Sequence, residues 1–465
     1  MKAHWAALLL LWLLLAATAA GAEDMTLRET TARVWVDGRE IDTVYETAVC
    51  HQRYWEENPA LSTTPVAIVV TALPARVEID FPYEDVTEAV VRPLSLGIEA
   101  EIQDGRIVFT ADRSANLTVE VNGKVEGALH LFVDTPDEEK PDPEGAKVRY
   151  FGPGVYRDQM ITVRSNETIY LDEGCVLYGQ IYCGMGKQFT IAGHGVLCGS
   201  IYDRWKDTIV PINISNCSDF TIRDITILDP SAWTVNLLKC KDARIENVKI
   251  VSARSNSDGF TFQNCERIEV DGCFVRSWDD SLVVKGYGSD VHDIVFQNCT
   301  LWTDLAQSCE IGYETRAKVI DHITFRDITV LHNFHKPVIS IHNSDHAAVS
   351  HVLFENITVE DAQMGEGDGS PYLIELTTTE SVWSATLRRG TIDDVEIRNV
   401  QVLSGKKSGI RIYANDETSW IDHVQIQDLT LLGEQITDFS QITYETSPFN
   451  GSEIHIGVTD IPVNP

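Results

Sequence analysis

One six-residue pattern constrains this chain more than any other feature: apolar, any, Asn/Asp/Gly, apolar, any, apolar. It occurs at Ile222–Ile227 (IRDITI), Ile245–Ile250 (IENVKI), Val270–Val275 (VDGCFV) and Phe296–Leu301 (FQNCTL). It continues at Phe325–Val330 (FRDITV), Phe354–Val359 (FENITV), Ile397–Val402 (IRNVQV) and Ile426–Leu431 (IQDLTL). The starts lie 23, 25, 26, 29, 29, 43 and 29 residues apart. A period in the twenties, rich in β-branched residues and with a turn residue in every unit, indicates a β-solenoid. Helical repeats would need amphipathic segments of ~10–15 residues, and none is visible. A coil buries its inward apolar positions only when neighbours stack above and below. Asn and Asp suit corners that need a left-handed residue, where their side chains also hydrogen-bond along the stack. Thr168–Leu177 and Phe189–Leu197 fit earlier coils, so the fold class is all-β, with a β-helix expected from about Ala146 to Ile456. The longest spacing leaves room for an insertion around Met364 to Arg389.

The chain ahead of the repeat reads differently. Residues 1–22 have the form of a secretory signal: Lys2, an apolar run from Ala6 to Ala17, and Ala20-Gly21-Ala22 as a small-residue cleavage site. The apolar run is shorter than the ~20 residues needed to cross a bilayer. The mature protein is therefore expected outside the cytoplasm, extracellular or periplasmic. Residues 23–133 carry short alternating segments such as Val34–Val36, Val66–Val70, Val77–Ile79, Ile107–Phe109, Leu117–Val121 and Leu129–Val133. Asp37-Gly38, Asp104-Gly105 and Asn122-Gly123 separate some of them, which predicts a small antiparallel β-sandwich. It lacks an aromatic cluster of its own and reads as a cap for the helix. Residues 134–145 form an acidic, proline-rich linker, and 457–465 a C-terminal tail.

The formal net charge is −33 over 465 residues. A surface so negative repels nucleic acid, anionic lipid and polyuronate, and favours a neutral or cationic partner. Ten cysteines in an exported chain suggest disulfides. However, Asn216-Cys217, Asn264-Cys265 and Asn298-Cys299 recur near one repeat apart, as stacked buried thiols would. A Cys175–Cys183 bridge is the open alternative. No zinc-type spacing of Cys and His is present, so no metal site and no cofactor are expected.

Chemistry concentrates in one stretch. Asp258 precedes Asp279 and Asp280 by 21 and 22 residues, about one coil. Adjacent strands lie ~4.8 Å apart, so the three carboxylates gather on one patch. Any one of these aspartates alone would read as a turn former. Glycosidic hydrolysis needs one protonated carboxylic acid for the leaving oxygen and one carboxylate for water or direct attack. A third carboxylate nearby raises the acid's pKa by like-charge repulsion.

Asn256–Gly259 (NSDG) and Asp279–Gly286 (DDSLVVKG), with their separation, resemble glycoside hydrolase family 28, the polygalacturonase-like enzymes. That resemblance implies a right-handed parallel β-helix and an inverting mechanism. It implies Asp279 as general acid, Asp258 and Asp280 as the pair that activates water, and Asn256 and Lys285 as supporting residues. Gln307 stands where the family has a histidine, and Ser340-Ile341-His342 aligns with the family's Arg-Ile-Lys, which grips the uronate carboxylate. A serine cannot make arginine's bidentate contact, so a neutral or differently decorated glycan is expected. Trp278 and Tyr313 are the expected sugar platforms, and His342 a possible substrate contact. Trp233 and Trp302 read as packing or groove-edge residues, and His332, His335, His342 and His346 as a wet loop near the groove. The sandwich is similar to that of family 49 dextranases, which join such a domain to a related β-helix and use three aspartates on a neutral glucan.

The expected function is thus a secreted glycoside hydrolase acting on a poly- or oligosaccharide, as a monomer, without nucleic acid or membrane partners. Three alternatives remain: a dextranase-like α-glucan hydrolase, a calcium-dependent polysaccharide lyase with the aspartates as ligands, and a non-catalytic glycan-binding solenoid.

Overall fold

The computed structural model describes residues 30–207, 209–367 and 369–458. The signal-like segment 1–22 and most of the tail lie outside them. No helix among the described residues is long and apolar enough to cross a membrane.

Strands from Val148–Phe151 to Ile454–Gly457 form one 29-stranded sheet that winds on itself. Its inter-coil pairings are parallel: Ile245 faces Val270, Phe296 faces Phe325, and Phe354 faces Ile397. This is the expected parallel β-helix. Its interior is a continuous apolar column, in which Phe262, Phe296, Phe325 and Phe354 stack with ring centroids 5.3, 5.0 and 5.0 Å apart. The third residue of every hexamer turns the corner in the left-handed region: Asp224, Asn247, Gly272, Asn298, Asp327, Asn356, Asn399 and Asp428. Their side chains bond along the stack. Asn247 donates to Asp224 (2.9 Å), Asn356 to Asp327 (2.9 Å) and Asn399 to Asn356 (2.8 Å). The insertion expected in the longest spacing is split, because strand Tyr372–Thr377 pairs with Ile339–Asn343 and completes a coil between two loops.

All ten cysteines are free and buried, Cys175 and Cys183 included. Cys217, Cys240 and Cys265 each precede a residue of one paired column, Ser218, Lys241 and Glu266. Cys273 and Cys299 belong to another, preceding Phe274 and Thr300.

The N-terminal part is two facing five-stranded sheets. They are antiparallel except where Ser62–Val70 and Lys124–Asp134 pair in parallel, a departure from the purely antiparallel sandwich expected. The outer face of the second sheet (Tyr45, Val66, Ile68, Phe132) packs on Tyr178, Leu228, Phe274 and Trp302 of the helix. Polar ties cross the same contact: Lys249 to Asp134 at 2.6 Å and Arg92 to Glu360 at 2.7 Å. The sandwich therefore lies along the flank of the solenoid.

Candidate active site

The register of the helix assembles the site. Val235 pairs with Phe260, Phe260 with Leu282, and Leu282 with Cys309. Stepping back two residues along each strand puts Trp233, Asp258, Asp280 and Gln307 in one column. Gly259 lets the coils approach there, since a Cβ on it would sit 2.4 Å from the Ser281 carbonyl oxygen. The aspartates line a cavity of about 140 Å³ with Asn256, Lys285, Gln307 and Tyr313.

Asp258 and Asp280 are buried and Asp279 is half-buried. Asp280 accepts the Gln307 backbone N–H at 3.2 Å, and Asp258 accepts Thr261 Oγ1 at 3.3 Å. Lys285 Nζ stands 3.0 Å from Glu314 and 4.0 Å from Asp258. Burial, and then the Asp279 charge, push Asp258 well above the ordinary carboxylate range. The same causes in the same order raise Asp280 to about 7. Burial opposes the Lys285 charge, but Asp258, Glu314 and Asp280 outweigh it and hold the ammonium charged. Three carboxylates thus share one lysine, and the cluster keeps protons at mildly acidic pH that isolated aspartates would release. A protonated carboxyl beside an ionised one is the pair that general acid–base chemistry requires.

Two expected contacts are corrected. Trp278 is 0% exposed, packed against Ala48, Cys50, Ala253 and Leu305, and its Nε1 donates to the Gln52 carbonyl at 3.2 Å. It holds the sandwich and offers no face to a sugar. His342 lies behind the cavity wall, buried and stacked on Tyr313 at 4.2 Å. Its Nδ1 is 2.9 Å from Glu310, and its Nε2 3.7 Å from Glu375. Burial is outweighed by these two carboxylates, which raise the imidazole to about 9. The His342 charge is therefore neutralised internally by these two glutamates. His332 and His335 are also buried, so the expected wet histidine loop is not one; His346 alone of the four is exposed. Trp302 packs in the core and Trp233 lines the cavity, the two roles expected of this pair.

Sequence reasoning missed Glu314, Lys336, Trp55 and Trp383, which also line the cavity. Glu314 and Tyr313 enter it because the register jumps between Val284–Gly286 and Ile311–Thr315, leaving extra residues to bulge inward. Gly312 permits the bulge: its φ is 137°, and a Cβ there would meet the His342 carbonyl oxygen at 2.4 Å. The Gly312 between Ile311 and Tyr313 was the available signal. The two tryptophans come from outside the repeat and left none.

Residues 198–448, over half of the chain, match the sequence profile of glycosyl hydrolases family 28. The chain belongs to this family. A probable polygalacturonase of Vitis vinifera is 23% identical over 132 residues, 26% of this chain and 27% of that one. Probable rhamnogalacturonase A of Aspergillus oryzae is 22% identical over 223 residues, 47% of this chain and 44% of that one. The matches thus span less than half the length of either curated relative. Among solved structures, Dex49A from Penicillium minioluteum shares the fold with a TM-score of 0.61 at 16% identity, over 93% of this chain and 95% of that one. Outside the cavity, Asp321, His322 and His351 form a group of metal-ligand type among the described residues.

Proposed function

We propose that this family 28 member is a secreted glycoside hydrolase that inverts the anomeric centre of a neutral or differently decorated glycan rather than of unmodified polygalacturonate. The observation that carries the reading is the single cavity in which Asp258, Asp279 and Asp280 meet around Lys285. Asp279, the most exposed of the three, protonates the leaving oxygen. Asp258 and Asp280 position a water, and the member of the pair that has released its own proton takes the water's, beside the Lys285 ammonium. Asn256 is fixed by Arg204, whose guanidinium donates to its side-chain oxygen at 2.8 Å.

The substrate class rests on charge. Ser340 spends its hydroxyl on Glu310, His342 is held between two glutamates, and Lys285 is held by Glu314 and Asp258. Lys336 is the further ammonium lining the cavity, and a point charge alone gives no bidentate grip on a carboxylate. A dextranase-like α-glucan hydrolase is the second reading, favoured by the sandwich–helix arrangement shared with Dex49A along nearly the whole of both chains.

Incubating the mature protein with polygalacturonate, rhamnogalacturonan, dextran, pullulan and galactans, with and without chelator, tests both. Release from a neutral or branched glycan, indifferent to chelator, is expected. Release from polygalacturonate that collapses in Lys336→Ala would refute the substrate class. On the responsive glycan, Asp279→Asn should lower kcat by ~10²–10⁴-fold with folding intact; near-native turnover would overturn the assignment of roles.

A further inference from the structure

Two of the most exposed aromatic side chains among the described residues share the cavity of the aspartates. Trp55 and Trp383 are each 55% exposed, and both line the catalytic cavity. Neither belongs to the coil repeat: Trp55 is on a loop of the sandwich and Trp383 on the second of the two inserted loops.

Both loops are pinned beside the indole. On one side of Trp55, Gln52 accepts from Trp278, and Arg53 donates to the Asp304 carbonyl at 3.1 Å and lies 3.8 Å over the Phe334 ring. On the other side, Ser255 Oγ donates to the Glu56 and Glu57 carbonyls at 2.6 and 2.8 Å, and Trp205 Nε1 donates to Asn58 at 3.0 Å. Trp383 is mounted in the same way. Ser384 Oγ donates to the Ser344 carbonyl at 2.6 Å, and the Ala385 N–H to Asp345 at 2.8 Å. Ordered loops that leave a large apolar face in water present that face for contact.

The anchors also place the loops on opposite walls. Ser255, Trp278 and Asp304 precede the strands of the groove floor, Phe260–Gln263, Leu282–Gly286 and Cys309–Thr315. Ser344 and Asp345 follow the next strand of that floor, Ile339–Asn343.

We propose that the sandwich is part of the active site, supplying Trp55 as one of two aromatic walls that, with Trp383, hold the C–H faces of pyranose units against the aspartates. This deepens the hydrolase reading and rests on it. The sandwich then sets substrate affinity and is more than a cap. Stacking on a C–H face does not depend on the sugar's charge, so the walls and the substrate class fail separately.

The test measures kcat and KM of full-length Trp55→Ala and Trp383→Ala on whichever glycan the wild type cleaves. It also measures binding of the matching oligosaccharide to Asp279→Asn with and without each change. Each alanine substitution is expected to raise KM and Kd about tenfold, with kcat altered far less, melting temperature unchanged, and Trp55→Phe restoring most of the affinity. Unchanged KM and Kd in both variants would overturn the proposal while leaving the hydrolase intact. If the wild type cleaves nothing in the panel, quenching of its tryptophan fluorescence by trimers of glucose, galactose and galacturonate reads the walls directly. Absence of binding at millimolar sugar would overturn the proposal too.

Discussion

Asp280 illustrates what gathering buried carboxylates in one cavity does to stability. Its carboxyl is raised from an ordinary 3.8 to about 7. Between those values the folded chain retains a proton that the unfolded chain has released, so stability falls as pH rises through the window and stays low above it. Asp280→Asn removes that penalty while Glu314 still pairs Lys285. Thermal melting should show the variant a few degrees more stable than wild type at pH 8 and equal to it at pH 3, with hydrolysis lost. A lower melting temperature at pH 8 would mean that the ionised carboxylate is a net stabiliser. The carboxylates themselves were legible in the sequence, because spacing by one coil suffices to juxtapose them. Their aromatic neighbours were not. Trp278 is adjacent to the paired aspartates in sequence and yet points into the packed junction with the sandwich. Trp55 is over two hundred residues away and reaches the cavity. Adjacency along a strand fixes register, whereas the outward or inward direction of one side chain depends on what covers that face.

At the scale of elements, the repeat announced itself because a left-handed corner admits few residue types. Asn, Asp and Gly therefore mark every hexamer: Asp224, Asn247, Gly272 and Asn298 separate two strands, and Asp327, Asn356, Asn399 and Asp428 bend one continuous strand. What the pattern cannot carry is a break in it. The bulge at Gly312–Glu314 interrupts the register and swings Tyr313 and Glu314 into the cavity, and a periodic template assigns those residues to an ordinary strand. Gly312→Ala should expose its importance. With φ at 137° and the His342 carbonyl oxygen in the way, the added methyl must displace the bulge. A loss of about 1–3 kcal/mol in stability is expected, together with a larger fall in kcat than in overall foldedness by circular dichroism. Unaltered kcat would show that Tyr313 and Glu314 are dispensable. The insertion was likewise only half legible: its length was apparent from the spacing, but strand Tyr372–Thr377 inside it lacks the hexamer and so went unseen.

For the whole molecule, the sequence separated sandwich from solenoid but could not say how they meet. The contact buries Phe274 and Trp302, which look like any other coil residues, and it hides Lys249 and Asp134 as a pair drawn from both parts. Nothing local distinguishes a face turned to water from a face turned to a neighbouring domain. The molecule's cohesion, in turn, is wholly noncovalent beyond the backbone: the thiols of Cys217, Cys240 and Cys265 sit in the stack as apolar filler. Melting curves with and without dithiothreitol should superpose, and a drop on reduction would reveal a bridge. Folding therefore makes no demand on an oxidising compartment, a disulfide isomerase or an electron acceptor. A chain beginning at Glu23 should reach the same state in a reducing bacterial cytosol, and the enzyme should keep working where thiols abound.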